Sequence, residues 1–250
     1  MTTPFYRQSA VWWISISIKF AESSSRMEES TCRNDHVQFS VAKSEDYESV
    51  LSFVVEHYYK DEPMSNSYIY DSSPADDDVE FSVSFLFQGM AIKAVDRDCD
   101  NRLIGVSIAN PIYPGYVEDL LKSAEQAKTQ KWRDSLKLLA HLQQSTDVLQ
   151  RYNVSKCYDI EIVAAHPEYR GQSIGSRLFE EQFKRAKQLG YPIASADCSS
   201  YYSARIAEKV GMKCVGRLAF ANYRDDRGVQ LFQPRAPHEE IQTFVKLLNV

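Results

Sequence analysis

Residues 156–190 constrain the fold of this chain more than any other segment. Lys156 to Ala165 (KCYDIEIVAA) is a short run with Cys157, Ile160, Ile162 and Val163 apolar; it is closed by Pro167 and reads as a strand. Gly171-Gln172-Ser173-Ile174-Gly175 follows as a tight, glycine-bearing turn. It opens a helix whose apolar face is Ile174, Leu178, Phe179, Phe183 and Ala186, with Gly190 where a C-cap belongs. A strand led through such a turn into a helix exposes several backbone N–H groups at the positive end of the helix dipole, which makes an anion site suited to phosphate. The segment is not a P-loop, because no Gly-Lys-Ser/Thr follows, and it lacks the G-x-G-x-x-G of dinucleotide-binding turns. On turn chemistry alone, an ordinary strand-to-helix connection is an equally good reading.

The remaining pattern supplies more strands and helices. Val37 to Val41 (VQFSV) alternates as a strand does. Tyr47, Val50, Leu51, Val54, Val55 and Tyr58 recur at helical spacing behind Ser44 as N-cap, and Glu62-Pro63 ends that helix or makes a turn. Residues 64–80 read as a loop in which Asp76-Asp77-Asp78 are solvated charges. Met90 to Val95 and Leu103 to Ala109 are expected to pair as an antiparallel hairpin across the polar turn Asp96 to Arg102. Residues 116–128 and 132–150 read as helices, the second with Trp132, Leu136, Leu139 and Leu142 on one stripe. Ile193 to Cys198 is a strand, and Ser199 or Ser200 caps a helix carrying Tyr202, Ile206 and Val210 that stops at Gly211. Met212 to Tyr223 and Val229 to Phe232 are expected to form a last strand pair, and residues 238–248 an amphipathic helix.

Composition removes several function classes. Fifteen Tyr, 12 Phe and 3 Trp in 250 residues are too many aromatics for a disordered chain. A formal charge of −5 gives no general attraction to nucleic acid, so none is expected as a partner. The apolar run Ala10 to Phe20 is too short to span a bilayer and has a poor signal-peptide context. Residues 1–27 are therefore read as a dispensable N-terminal extension, residues 28–250 as one domain, and no membrane partner is expected. The five cysteines (Cys32, Cys99, Cys157, Cys198, Cys214) are odd in number, widely spaced and without a C-x-x-C pair. That argues against a disulfide framework or zinc finger and for a reducing, cytoplasmic setting, in which the acceptor pattern Asn153-Val154-Ser155 goes unglycosylated. His36, His57, His141, His166 and His238 share no metal-ligand spacing, so no metal is expected.

The strand–turn–helix resembles the coenzyme A motif of the GNAT acetyltransferases, strand, V-x-P-x-x-R/Q-G-x-G-x-G/A, helix, which Ala165-His166-Pro167-Glu168-Tyr169-Arg170-Gly171-Gln172-Ser173-Ile174-Gly175 follows. Ser173 departs from it, standing where the family has glycine. Tyr58-Tyr59-Lys60-Asp61-Glu62-Pro63, Ser199-Ser200 with Tyr202-Ser203-Ala204-Arg205, Glu208-Lys209 before Gly211, and Ala236-Pro237-His238 are similar to the insect arylalkylamine N-acetyltransferases, the group that includes dopamine N-acetyltransferases. The resemblance implies an α/β (α+β) GNAT acyl-CoA N-acyltransferase fold, a mixed central sheet flanked by helices. It implies acetyl-CoA as cosubstrate and direct transfer, in a ternary complex, to the amine of an arylalkylamine such as dopamine, tryptamine or serotonin. A monomer acting on a small molecule is expected.

The same resemblance distributes roles. Backbone N–H groups of Arg170, Gly171, Gln172, Ser173, Ile174, Gly175 and Ser176 would hold the diphosphate, and the exposed backbone of Val163, Ala164 and Ala165 would pair with the pantetheine and polarise the acetyl carbonyl. Glu62 would be the general base, through ordered water; read without the family, a Glu before Pro is a surface turn residue. Ser199 and Ser203, four apart and thus expected on one helix face, would handle substrate and protonate the thiolate, although Ser199 fits an N-cap equally well. Tyr202 is a second candidate acid, but its apolar helix neighbours point to core packing. Cys198 has nothing nearby in sequence to lower its pKa, which disfavours a covalent route. Aromatic and apolar residues between Tyr58 and Tyr70 and in the helices at 116–150 would select the amine by stacking, with the acids at 76–78 adding a minor long-range attraction. Two other readings stay open: a GNAT enzyme for another amine (a polyamine, a hydrazine or a protein N-terminus), and a non-catalytic acyl-CoA-binding protein.

Overall fold

Alternating and near-continuous apolar runs build the sheet from its N-terminal edge. In the computed structural model, which describes residues 36–248, β1 (Val37–Val41), β2 (Ala91–Asp96) and β3 (Arg102–Ile112) form an antiparallel meander, Val37 opposite Asp96 and Ala91 opposite Ile108. The extension 1–27 and Cys32 lie outside the described residues. β4 (Cys157–Ala165) adds antiparallel to β3, and β5 (Ile193–Cys198) adds parallel to β4. β6 (Lys213–Ala219) and β7 (Glu240–Leu247) complete a seven-stranded mixed sheet in the order β1-β2-β3-β4-β5-β7-β6.

Two expectations fail at the C-terminal end. Residues 238–248 are not a helix; they are β7, inserted between β5 and β6. Ile241, Thr243, Phe244 and Val245 are all buried there. A strand covered on both faces shows a run of apolar residues rather than alternation, and periodicity alone does not separate that from a helix. Val229 to Phe232 is likewise not a strand: β6 ends at Ala219, and Phe232 makes an isolated bridge to Tyr68.

Helices cover both faces. α7 (Ile174–Gln188) and α8 (Tyr201–Lys209) lie on one. There Phe179, Phe183 and Ala207 pack with Tyr158, Ile160 and Phe244. The opposite face carries α1 (Tyr47–Val54), which runs on through a π-helical turn at Val55–Tyr59, and then α2 (Pro63–Asn66) and α3 (Asp76–Ser84). It also carries α4 (Tyr116–Gln126), α5 (Gln130–Thr146) and α6 (Val148–Tyr152). The single helix expected over 132–150 is broken at Asp147, whose left-handed φ of 34° stops α5 while its side chain caps α6. The expected loop at 76–78 is the first turn of α3. Asp77 is buried and its carboxylate accepts from the backbone N–H groups of Lys128 and Thr129 and from the Thr129 hydroxyl, which ties α3 to the start of α5.

α7 is seated by a polar anchor and a close approach. Gln182 is fully buried yet satisfied: it accepts from Tyr158 OH at 2.6 Å and donates to the Ser107 carbonyl at 3.1 Å and hydroxyl at 3.0 Å. Gly105 of β3 lets the helix come down, because a Cβ there would sit 2.9 Å from Ile174 Cγ2 and 3.2 Å from Leu178 Cδ1. Gly105→Ala is expected to lower stability by about 1–3 kcal/mol in urea unfolding through overpacking. It should also weaken coenzyme A binding by calorimetry, since Ile174 opens the helix at the anion turn.

Candidate active site

β4 and β5 touch at Tyr158↔Ala194 and Asp159↔Ser195 and then part, while β4 stays paired to β3 as far as Gly105↔Ala165. From Ile160 onward the β4 edge that faces β5 has no partner strand among the described residues, as the resemblance implied. The gap is a cleft of about 840 Å³, a size that suits a small-molecule ligand. Val163, Ala164, Ala165, Arg170, Gly171, Ser173, Ile174, Gly175 and Ser176 line it. Gln172 is exposed and is not among the lining residues.

A β-bulge reorganises β4 next to the gap. Ile108 pairs with Ile162 but Ala109 with Ile160, so Glu161 is the extra residue. The alternation reverses there: Ile160 packs toward Phe179 of α7, whereas Ile162 and Ala164 pack with Val50 and Phe53 of α1.

At the turn, Gly171 and Ser173 both have positive φ, 81° and 60°. That explains why glycine is the usual residue at position 173 and marks the serine as a strained substitute. The first α-helical bond of α7 runs from Arg177 N–H to the Ser173 carbonyl, so the N–H groups of Ile174, Gly175 and Ser176 have no acceptor within the helix. Those donors, the free β4 edge and the cleft volume fit a phosphorylated, pantetheine-type chain. Arg170 lines the cleft and is ion-paired with Asp61, an exposed pair that contributes little to stability.

Glu62 lines the same cleft. It is 7% exposed and is the N-cap of α2, accepting from Met64 N–H at 3.0 Å and from Ser65 N–H. Ser199 Oγ donates to Glu62 Oε1 at 2.6 Å. Ser199 is therefore not the helix cap; Ser200 is, accepting from Tyr202 N–H at 3.2 Å. Ser199 precedes α8 and does not share a helix face with Ser203, though both line the cleft. Ser203 donates back to the Ser200 carbonyl at 2.8 Å. Tyr202 is 62% exposed and lines the cleft instead of packing in the core. His238 lines it too, and its Nδ1 accepts from Tyr201 N–H at the start of α8. Cys198 is buried, and burial pushes its thiol up to about 12, which makes it a poor nucleophile.

Behind Glu62 and Ser199 lies a smaller chamber of about 80 Å³, walled by the rings of Tyr58, Phe81, Tyr116 and Trp132 and by Asp78, Asp159, Glu161 and Asp197. Burial pushes Asp78 up to about 8, with the neighbouring Glu161 and Glu62 charges adding to it. Burial raises Asp197 to about 6 against hydrogen bonds from Thr243 and Gln143. It also raises Asp159, with Asp197 and Glu161 adding, and Glu161.

The Acetyltransferase (GNAT) family profile matches residues 138–212. A mosquito arylalkylamine N-acetyltransferase-like protein, 5b, is similar at 41% identity and a TM-score of 0.82, covering 85% of this chain and 100% of its own. The chain belongs to the GNAT acetyltransferase family. It is an acetyl-CoA-dependent N-acetyltransferase that acts on amines. A Drosophila melanogaster polyamine N-acetyltransferase, described as forming N-acetylagmatine, is similar at 29% identity and a TM-score of 0.80, over 85% of this chain and 100% of that one. Arylalkylamine N-acetyltransferase 2 from Aedes aegypti, at 20% identity, a TM-score of 0.78 and coverage of 86% and 100%, shares the fold.

Sequence reasoning found the GNAT turn and the rim residues but missed the inner acids. A signal was present: Asp159 and Glu161 interrupt an apolar strand, and Asp197 does the same in Ile193 to Cys198. Acids in a buried strand need a partner or a function. The raised carboxyls give a stability prediction. Between the ordinary value of 3.8 and the folded value of about 8, Asp78 keeps a proton that the unfolded chain has lost. Stability is thus present at low pH and lost as pH rises through that window, with Asp197 acting similarly up to about 6. Chemical denaturation of the ligand-free enzyme should show a fall of about 1–3 kcal/mol between roughly pH 5 and 8.5, and Asp78→Asn should flatten its upper half.

Proposed function

We propose that this enzyme transfers the acetyl group of acetyl-CoA directly to the amine of an arylalkylamine, in a ternary complex, with Glu62 as general base. The observation that carries the reading is the placement of the Glu62 carboxylate, which lines both the cleft and the inner chamber. Oε1 already accepts from Met64 N–H and Ser199 Oγ, while Oε2 accepts from Ser65 N–H and keeps a lone pair for an amine or a bridging water.

In this reading the N–H groups of Ile174, Gly175 and Ser176 hold the diphosphate, those of Arg170 and Gln172 being donated to the Pro167 and Tyr169 carbonyls within the turn, and the β4 edge at Val163, Ala164 and Ala165 orients the thioester and polarises its carbonyl. Glu62 takes a proton from the acceptor ammonium. The freed nitrogen lone pair forms the C–N bond, the C–S bond breaks, and the thiolate takes a proton, with Ser203 as the assigned donor and exposed Tyr202 on the same wall. Ser199 fixes the Glu62 carboxylate. The rings of Tyr58, Phe81, Tyr116 and Trp132 support an aromatic acceptor by stacking, in line with what the mosquito relative's name describes. The carboxylates among those rings, together with the Drosophila relative, favour a second reading in which the acceptor is an aliphatic polyamine or agmatine-type amine.

Thiol release from acetyl-CoA against dopamine, tryptamine, serotonin and aliphatic amines tests the class; no turnover with any of them removes the proposal. Glu62→Gln should lower kcat at least about 100-fold with coenzyme A affinity retained. Wild-type kcat in that variant would place the base elsewhere.

A further inference from the structure

The turn between β4 and α7 is clasped by the end of the β2–β3 hairpin. Tyr169, which lines the cleft, donates its hydroxyl at 2.6 Å to Asp96, the last residue of β2. Asp96 is buried and also accepts from Asp98 N–H at 2.9 Å, with His36 Nε2 4.0 Å away. Arg102 opens β3 and reaches the turn twice. Its Nη1 donates to Glu168 at 2.7 Å, and its Nη2 lies 2.8 Å from His166 Nε2. His166 follows Ala165 at the end of β4 and precedes Pro167, so a contact that fixes its ring fixes the exit of the strand into the turn. Neither Arg102 nor His166 lines the cleft.

The contact between them has one possible direction. A guanidinium only donates, so His166 Nε2 accepts, and it does so only while it carries no proton. Nδ1 meets a second donor, the Glu168 N–H, at 3.3 Å. A neutral imidazole has one acceptor nitrogen, and the shorter contact assigns that role to Nε2. An imidazolium would instead turn an N–H toward the Arg102 cation. The surrounding groups act on that charge in both directions. Glu168 Oε2 lies 3.9 Å from His166 Nδ1 and favours a charged ring, but it already accepts from Arg102. His57, on the π-helical turn, stands edge-on to His166 with centroids 4.6 Å apart, and it lines the cleft. Burial, and then a charge on His166, hold the His57 imidazole below its ordinary range; Lys60 and Arg102 add to this and Glu56 opposes it. Farther along the turn, Arg170 is paired with Asp61.

We propose that Arg102 and His166 are positioning residues for the coenzyme: the uncharged His166 imidazole accepts from Arg102, and that contact holds the turn where Ile174, Gly175 and Ser176 meet the diphosphate. This rests on the diphosphate lying at the turn, as in the acetyl-transfer reading above. The Arg102–Glu168 pair is exposed, so the clasp contributes little to folding and its effect falls on coenzyme binding. Acid opens it, because a proton on Nε2 removes the acceptor.

Calorimetric titration with coenzyme A tests the clasp at about pH 8 and about pH 5.5, on either side of the range in which imidazoles charge. At the higher pH, Arg102→Ala and His166→Ala should each weaken binding at least about five-fold. Their kcat at saturating acetyl-CoA should stay within about two-fold of wild type, and their thermal unfolding should not move. His166→Gln, whose Oε1 can accept from Arg102, should bring affinity back to within about two-fold. Acidification should weaken the wild type at least about five-fold more than His166→Gln; the phosphates of the coenzyme titrate alike in both and cancel. Wild-type affinity in Arg102→Ala, a His166→Gln protein as weak as His166→Ala, or one that loses affinity with acid as the wild type does, overturns the inference. Ser173→Glu separates it from the reading beneath it. A carboxylate at the start of α7 suits the helix dipole but repels a diphosphate placed there. Wild-type coenzyme A affinity in Ser173→Glu removes the turn as the diphosphate site and the clasp with it, whereas weak binding in Ser173→Glu beside unchanged binding in the Arg102 and His166 variants removes the clasp alone.

Discussion

The parting of β4 from β5 is the constraint on which the site depends. Two residue pairs hold the strands together, and beyond Asp159↔Ser195 the sheet opens. An unpaired strand edge inside a protein is costly unless something else supplies hydrogen bonds. Here a ligand with amide groups can do so, which turns a defect of the sheet into a binding surface. The bulge at Glu161 belongs to the same event: it ends the regular alternation where the strands separate and sends an acid toward the inner chamber, with Ile160 kept against α7. The rest of the fold holds this opening in shape. Gly105 lets α7 approach the sheet, Gln182 anchors that helix, and so its first residues, Ile174 to Ser176, are held against the cleft.

Glu62 shows how short-range structure places a chemical group. The π-helical turn at Val55–Tyr59 and the proline at position 63 bring the chain to a helix start, and Glu62 caps that start. A carboxylate at an N-cap is held by backbone donors and by the helix dipole. The strand β5 ends opposite it, so Ser199 reaches the same carboxylate across 137 positions of sequence. Neither residue's role is visible from its own neighbours in the chain.

That distinction explains what the sequence disclosed. The strand, turn and helix at 156–190 were legible because their chemistry is local: glycine at a positive φ, helical spacing after it, and a C-cap. The resemblance carried by that turn gave the family, the fold and the rim of the site. β7 was misread because a strand buried on both faces lacks the alternation that identifies strands. Asp76-Asp77-Asp78 were misread because a charge run is usually solvated; here Asp77 holds the start of α5 through Thr129, 52 positions on, and Asp78 lines the chamber, bonded to Tyr59 from a separate helical turn. The inner acids were missed for the same reason, since Asp159, Glu161 and Asp197 become a cluster once α3, β4 and β5 are packed together.

The acids pose a problem that their positions resolve. A field of carboxylates favours the protonated form of any nitrogen it surrounds, and a protonated nitrogen has no lone pair with which to attack a thioester. An enzyme whose whole amine pocket was this acidic would bind ammonium ions and acetylate few of them. In this structure the acidity is graded along one path. Asp78, Asp159 and Asn110 line the inner chamber and are not among the residues lining the cleft, whereas Glu62, Ser199, Glu161 and Asp197 line both and stand at the junction. Burial keeps a proton on Asp78 up to about pH 8, which weakens the negative field that an acceptor nitrogen meets beside Glu62.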